Sequence, residues 1–287
     1  VRLAALALAA SVALGAGVAV RSKGAESGAV APFALAGELS FSLRGQRVAS
    51  VKLADLAREL PAEEVSMVDP YYGKPKRFRG WPLGAVLARG FGTSLGEART
   101  LELVLRASDG YSVAFTREQA AEEGAFVAFA DVEVPGWEPI GPRRANPGPA
   151  YLVWAKPHQQ HLETHPRPWQ LASLEAVRFD EAYPHTAPTG EPEGSPAMRG
   201  YATFRTLCFA CHAINREGGR VGPELNVPQS IVEYREAPQI RAYVKNPRAF
   251  RYGLMPPHPT LGEPQLDELL AYFHAMKSRK HDPEATP

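Results

Sequence analysis

The only two cysteines of this chain, Cys208 and Cys211, stand three residues apart and are followed at once by His212, giving Cys-Phe-Ala-Cys-His. This is the attachment signature of a c-type haem: the thiols bond the two vinyl groups and the adjacent imidazole takes an axial position on iron. A redox dithiol or a disulfide would not require the histidine. A structural zinc site needs four ligands, usually completed by a second cysteine or histidine pair elsewhere. The expectation is therefore one covalently bound haem c, around which the neighbouring chain must wrap.

An electron-carrying haem usually takes a second axial ligand, and a methionine thioether opposite histidine raises its potential. Met255, in Gly-Leu-Met-Pro-Pro, suits the role, because a proline-rich turn holds a sulfur in place without helical backbone bonds. His258, Met276 and His274 are its rivals, and a second histidine would lower the potential. Between His212 and Met255 lies Val221-Gly222-Pro223-Glu224-Leu225, a turn without bulk. Its Pro223 carbonyl is placed to accept the free N–H of His212, orienting the ring. After Met255, Leu266, Leu269, Leu270 and Phe273 recur at helical spacing and predict a terminal helix.

These residues, in this order, resemble a class I c-type cytochrome domain. The resemblance covers residues 198–281 and includes Gly200 and Phe204 before the haem motif, Gly222-Pro223, Met255-Pro256 and Tyr272 on the last helix. It implies an all-α fold around haem, with His212 and Met255 as axial ligands and the glycine-bearing helix crossing the last one.

The amino terminus is a further constraint. Arg2 precedes an apolar run from Leu3 to Val20, and Arg21 and Lys23 follow it. Residues 1–22 read as a signal peptide or a membrane anchor. A small-x-small site at Gly17-Val18-Ala19 would allow cleavage, and the basic residues directly after Val20 favour retention. Both routes place the bulk of the chain in the periplasm or another extracytoplasmic space. A net charge of +1 without a polycationic run argues against nucleic acid. Residues 186–197, rich in proline and glycine, read as a linker.

Residues 31–185 are long enough for a domain with its own core, and the pattern predicts an α+β fold. A hairpin is expected around Arg44-Gly45-Gln46, with strands at 101–105, 111–115, 150–155 and 174–179 and short helices at 51–59, 83–89 and 117–122. At Phe78-Arg-Gly-Trp-Pro-Leu83, at Ala107-Ser-Asp-Gly-Tyr111, and at Trp169 to Val177, the sequence resembles the molybdopterin-binding domain of the sulfite oxidase family. In that family a cysteine thiolate binds molybdenum, and residues 31–185 contain no cysteine. Molybdopterin is accordingly not expected, and the domain is read as a fold reused for docking or another ligand. The alternative is a self-contained oxidoreductase that passes electrons to the haem from a metal centre in this domain.

Two other clusters stand out. His158, His161 and His165, with Glu163, have the ligand types for zinc, copper or a haem iron, whereas Met67 suits the core. Arg241, Lys245, Arg248 and Arg251 have no acidic residue among them, and the first three could share a helical face that steers an acidic partner. The expected partner is a redox protein or a respiratory complex.

Overall fold

The computed structural model describes residues 35–251, 253 and 255–283, all within one compact unit. The apolar segment 3–20 lies outside the described residues. Among the described residues no helix is long and apolar enough to cross a membrane.

The amino-terminal half is a mixed α/β region of two sheets. Its strands are β1 (Glu38–Leu43), β2 (Gln46–Lys52), β3 (Glu63–Asp69), β4 (Lys74–Pro82), β5 (Glu102–Ala107), β6 (Ser112–Phe115), β7 (Ala125–Asp131), β8 (Tyr151–Trp154) and β9 (Leu171–Val177). One sheet has the order β2-β1-β9-β5-β6, in which only β1 and β9 run parallel; the other is antiparallel, in the order β3-β4-β7-β8. Helices α1 (Leu53–Glu59), α2 (Leu83–Phe91), α3 (Leu95–Ala98) and α4 (Arg117–Ala121) connect them. Leu39, Phe41, Trp81, Val86, Leu103, Leu105 and Leu174 form the main core.

The expected hairpin forms, with its turn at Arg44-Gly45. Strands β3, β4 and β7 were not anticipated from the residues. Pro75, Gly80 and Pro82 look like breakers, and glutamates and lysines mask the alternation that buries Val65 and Met67 on β3 and Lys76 and Phe78 on β4. Lys76 is fully buried and donates to Asp131 at 2.7 Å, Glu138 at 2.9 Å and Glu133 at 3.1 Å. Burial pushes the ammonium pKa down, but the three carboxylates outweigh it and hold the group well above its ordinary value.

The carboxy-terminal part is helical apart from a two-residue ladder, β10 (Ala213–Ile214) with β11 (Glu217–Gly218). After α5 (Phe179–Ala182) come α6 (Pro196–Leu207), α7 (Ile231–Tyr234), α8 (Ala237–Lys245) and α9 (Glu263–Lys277). Ser195 caps α6 by accepting the Met198 N–H, with Pro196 in the first turn. Helices α6 and α9 cross at Gly200, where a Cβ would stand 1.9 Å from the Glu268 carbonyl oxygen, so no larger residue fits. Around that contact Phe204 packs on Tyr272 at 5.2 Å and on Phe273 at 6.1 Å.

The two parts share a core. Val104, Val177, Phe179 and Tyr183 of the α/β region join Tyr201, Phe204, Phe209, Ile214 and Tyr272 of the helical part. Arg205 lies 3.7 Å over the Phe179 ring. The proline-rich segment between them is strapped down: Thr186 is buried, its carbonyl accepts the Tyr272 hydroxyl at 2.8 Å, and Arg279 reaches Thr189 and Glu191.

Two substitutions test this packing. Gly200→Val should force α6 off α9 and lower stability in urea unfolding by about 3 kcal/mol or more. Lys76→Met leaves the three carboxylates facing each other and should cost about 3–5 kcal/mol in the same assay.

Candidate haem site

Helix α6 ends at Cys208, and the chain coils directly into the motif: the Cys211 and His212 N–H groups both return to the Cys208 carbonyl, at 3.1 and 2.9 Å. Phe209, between the cysteines, is buried against Phe179 and Tyr183 and anchors the coil. The two thiols are therefore presented from one rigid turn.

His212 is buried, and its Nδ1–H donates to the Pro223 carbonyl at 2.8 Å, leaving Nε2 with the free lone pair. Burial is the main cause that holds its pKa below the ordinary histidine value. The Pro223 carbonyl and Glu224 pull upward, and His258 adds a downward push. The ring is thus neutral at neutral pH, the state in which imidazole binds a metal. Gly222 lies flat against it: a Cβ there would be 2.4 Å from Cε1 of His212, so a side chain would displace the ring.

Both thiols are held protonated. Burial, then the neighbouring Cys211 charge, pushes Cys208 up to about 12; burial, then Asp109, pushes Cys211 up to about 11. Such surroundings disfavour a reactive dithiol. They fit a neutral thioether, which is what covalent haem attachment makes of each cysteine. When bound, the haem supplies an iron that cycles between ferrous and ferric; the chain supplies its ligands and its surroundings.

The loop after the motif is held by residues that sequence reasoning passed over. Glu224 accepts four backbone N–H groups: Asn226 at 2.7 Å, Arg216 at 2.9 Å, Asn215 at 3.0 Å and Val227 at 3.1 Å. Asn226, fully buried, donates to Asn215 and to the Met276 carbonyl; Asn215 donates to the His185 and Arg279 carbonyls. The only signal in the sequence was the turn-forming character of these residues, which says nothing about partners up to 64 residues away.

Met255 is half-buried against the core of Ile240, Val244, Leu261, Leu266 and Leu270, in a stretch without regular secondary structure. Of its rivals, Met276 is spent in the shared core and His274 is exposed on α9. His258 is buried, with its backbone N–H on the Val244 carbonyl, and its charge would push the His212 pKa down. Met67 sits in the core with Val65 and Phe78.

The histidine cluster is divided. His158 and His165 both turn to Glu122, at 3.3 and 3.2 Å, whereas His161 is exposed. Burial pushes the Glu122 carboxyl up, but hydrogen bonds from Gln159, His165 and His158 outweigh it and hold the pKa low. Among the described residues no group of three or more histidine, cysteine, aspartate or glutamate side chains is placed to hold a metal ion. The basic face is also different from its sequence pattern. Pro247 ends α8, so Arg248 lies beyond the helix, and α9 supplies Glu263 and Asp267 to pair with Arg241 and Glu263 to pair with Lys245.

Residues 197–277 match the family model of cytochrome c. The carboxy-terminal part is a cytochrome c domain, and haem-mediated electron transfer is its family chemistry. The chain is also 26% identical over 118 residues to cytochrome c oxidase subunit 2 of Alkalihalophilus pseudofirmus. That match covers 38% of this chain and 34% of the relative, so the chain spans about a third of its length.

Replacing Glu224 by alanine orphans four backbone donors and should cost about 3 kcal/mol in holoprotein unfolding. Glu224→Gln keeps one acceptor oxygen and should lose less.

Proposed function

We propose that the protein is an exported c-type cytochrome that carries electrons on a single haem c. Cys208 and Cys211 hold the haem covalently; His212 and Met255 bind the iron, and Pro223 orients the His212 ring. The observation that carries this reading is the His212 imidazole: neutral, buried, fixed by the Pro223 carbonyl, and presented beside two protonated thiols. An iron between a nitrogen and a thioether sulfur sits at a more positive potential than one between two nitrogens.

In this reading the chain divides into a signal or anchor at 1–22, an α/β domain at 31–185, a linker at 186–197 and the cytochrome at 198–281. The α/β domain follows the sulfite oxidase family in its motifs. It lacks the cysteine that would hold molybdenum, so it serves docking or ligand binding, with no molybdopterin. The exported location follows from the apolar amino terminus and from where haem is attached to such proteins. The likeness to a cytochrome c oxidase subunit supports a redox protein or respiratory complex as partner.

The test is an optical spectrum of oxidised and reduced protein, with iron and molybdenum counted on the same sample. One low-spin haem per chain, a near-infrared sulfur-to-ferric band and no molybdenum are expected. Met255→Ala should abolish that band and lower the midpoint potential, whereas His258→Ala should leave both in place. Loss of the haem's low-spin character in His258→Ala, with the band absent from the parent, would replace Met255 by His258 as ligand.

A further inference from the structure

The α/β region meets the haem-binding turn through its own backbone. The Ser112 N–H donates to the carbonyl of Ala210, inside the Cys-Phe-Ala-Cys-His turn, at 3.0 Å, and the Arg220 N–H donates to Gly110 at 2.7 Å. These bonds bring the β5–β6 turn, with Asp109 and Tyr111, up to Cys211. The Tyr111 N–H is held by Asp109 Oδ1 at 2.9 Å, and Asp109 Oδ2 accepts the Trp169 indole N–H at 2.8 Å. Tyr71 packs edge-on against Trp169 with ring centres 4.9 Å apart.

The position of Tyr71 is fixed from behind. Its N–H donates to Asp69 Oδ1 at 2.9 Å, and Oδ2 of that fully buried carboxylate accepts the Tyr151 hydroxyl at 2.8 Å and faces Arg167 at 3.4 Å. A buried charge pair of this kind is costly unless its geometry is well satisfied. Here it locks the β3–β4 turn that presents the Tyr71 ring to Trp169 and so to the β5–β6 turn. Tyr111 directly precedes Ser112, whose N–H reaches the Ala210 carbonyl beside Cys211, and Tyr71 joins it through Trp169 and Asp109.

We infer that the α/β region builds one wall of the haem site: Tyr71 and Tyr111, braced by Trp169 and Asp109, cover the haem edge beside Cys211 and exclude water and partners from it. This rests on the proposed haem attachment and gives the α/β region a role toward it. Electron exchange then takes place away from that edge. The aromatic wall lowers the local dielectric, which disfavours the more highly charged ferric state and raises the potential.

The experiment compares the full-length holoprotein with the Tyr71→Ala/Tyr111→Ala and Tyr71→Phe/Tyr111→Phe pairs. Each is assayed by pyridine haemochrome, redox titration and the rate of reduction by ascorbate. The alanine pair should show a lower midpoint potential and a several-fold faster reduction, and the phenylalanine pair should match the parent. An alanine pair that carries covalent haem yet keeps the parental potential and rate overturns the wall.

A measurement on the unmodified holoprotein stands independently of how the variants fold. N-acetylimidazole should label Tyr234, which is 45% exposed, and spare Tyr71 and Tyr111. Labelling of all three while the haem stays attached overturns the wall. No covalent haem in the unmodified protein would overturn the haem reading itself.

Discussion

The site depends on one hydrogen bond in a confined space. His212 has Gly222 against its ring and the Pro223 carbonyl on its Nδ1–H, and these two residues are neighbours in the chain. The same short turn therefore sets both how near the backbone comes to the imidazole and which nitrogen is left free. A side chain at 222 would spoil the first; a different path through 223 would spoil the second. The Glu224 carboxylate follows directly and ties the turn to the backbone on both sides.

The second organising fact is that the cytochrome and the α/β region, besides their own interiors, share a core between them. Phe179 and Tyr183, just after β9, pack on Phe209 inside the haem motif. Apolar burial is worth roughly 25 cal/mol per Å², and aromatic pairs add to it, so the join is part of the stability of the haem turn. The connecting segment contributes through Thr186 and through the Arg279 side chain that spans it. A chain composition that suggests a semi-rigid tether is here held by residues from the other end of the domain.

Much of this was legible beforehand. The haem motif, the Pro223 acceptor, the burial of Leu266, Leu269, Leu270 and Phe273, and the crossing at Gly200 all follow from local spacing and from family likeness. What escaped was set by distant partners. Strands β3 and β4 carry charges, and β4 two prolines, and the inward place of Lys76 makes sense only once it meets Asp131 at the end of β7 and Glu133 and Glu138 just beyond. The basic segment looked unpaired because its counter-charges, Glu263 and Asp267, sit on α9. Likewise, His158, His161 and His165 offered metal-ligand chemistry by residue type, but the backbone sends two of them to Glu122 and the third to solvent.

The four N–H groups gathered on Glu224 have a consequence for the speed of electron transfer. A loop with four of its donors committed to one fixed carboxylate has few soft modes through which to respond when the charge beside it changes by one. Preorganised dipoles of that kind cost nothing to rearrange at the moment of reaction. In the proposed reading, with His212 on the iron, that rigidity would keep small the nuclear motion that accompanies each electron.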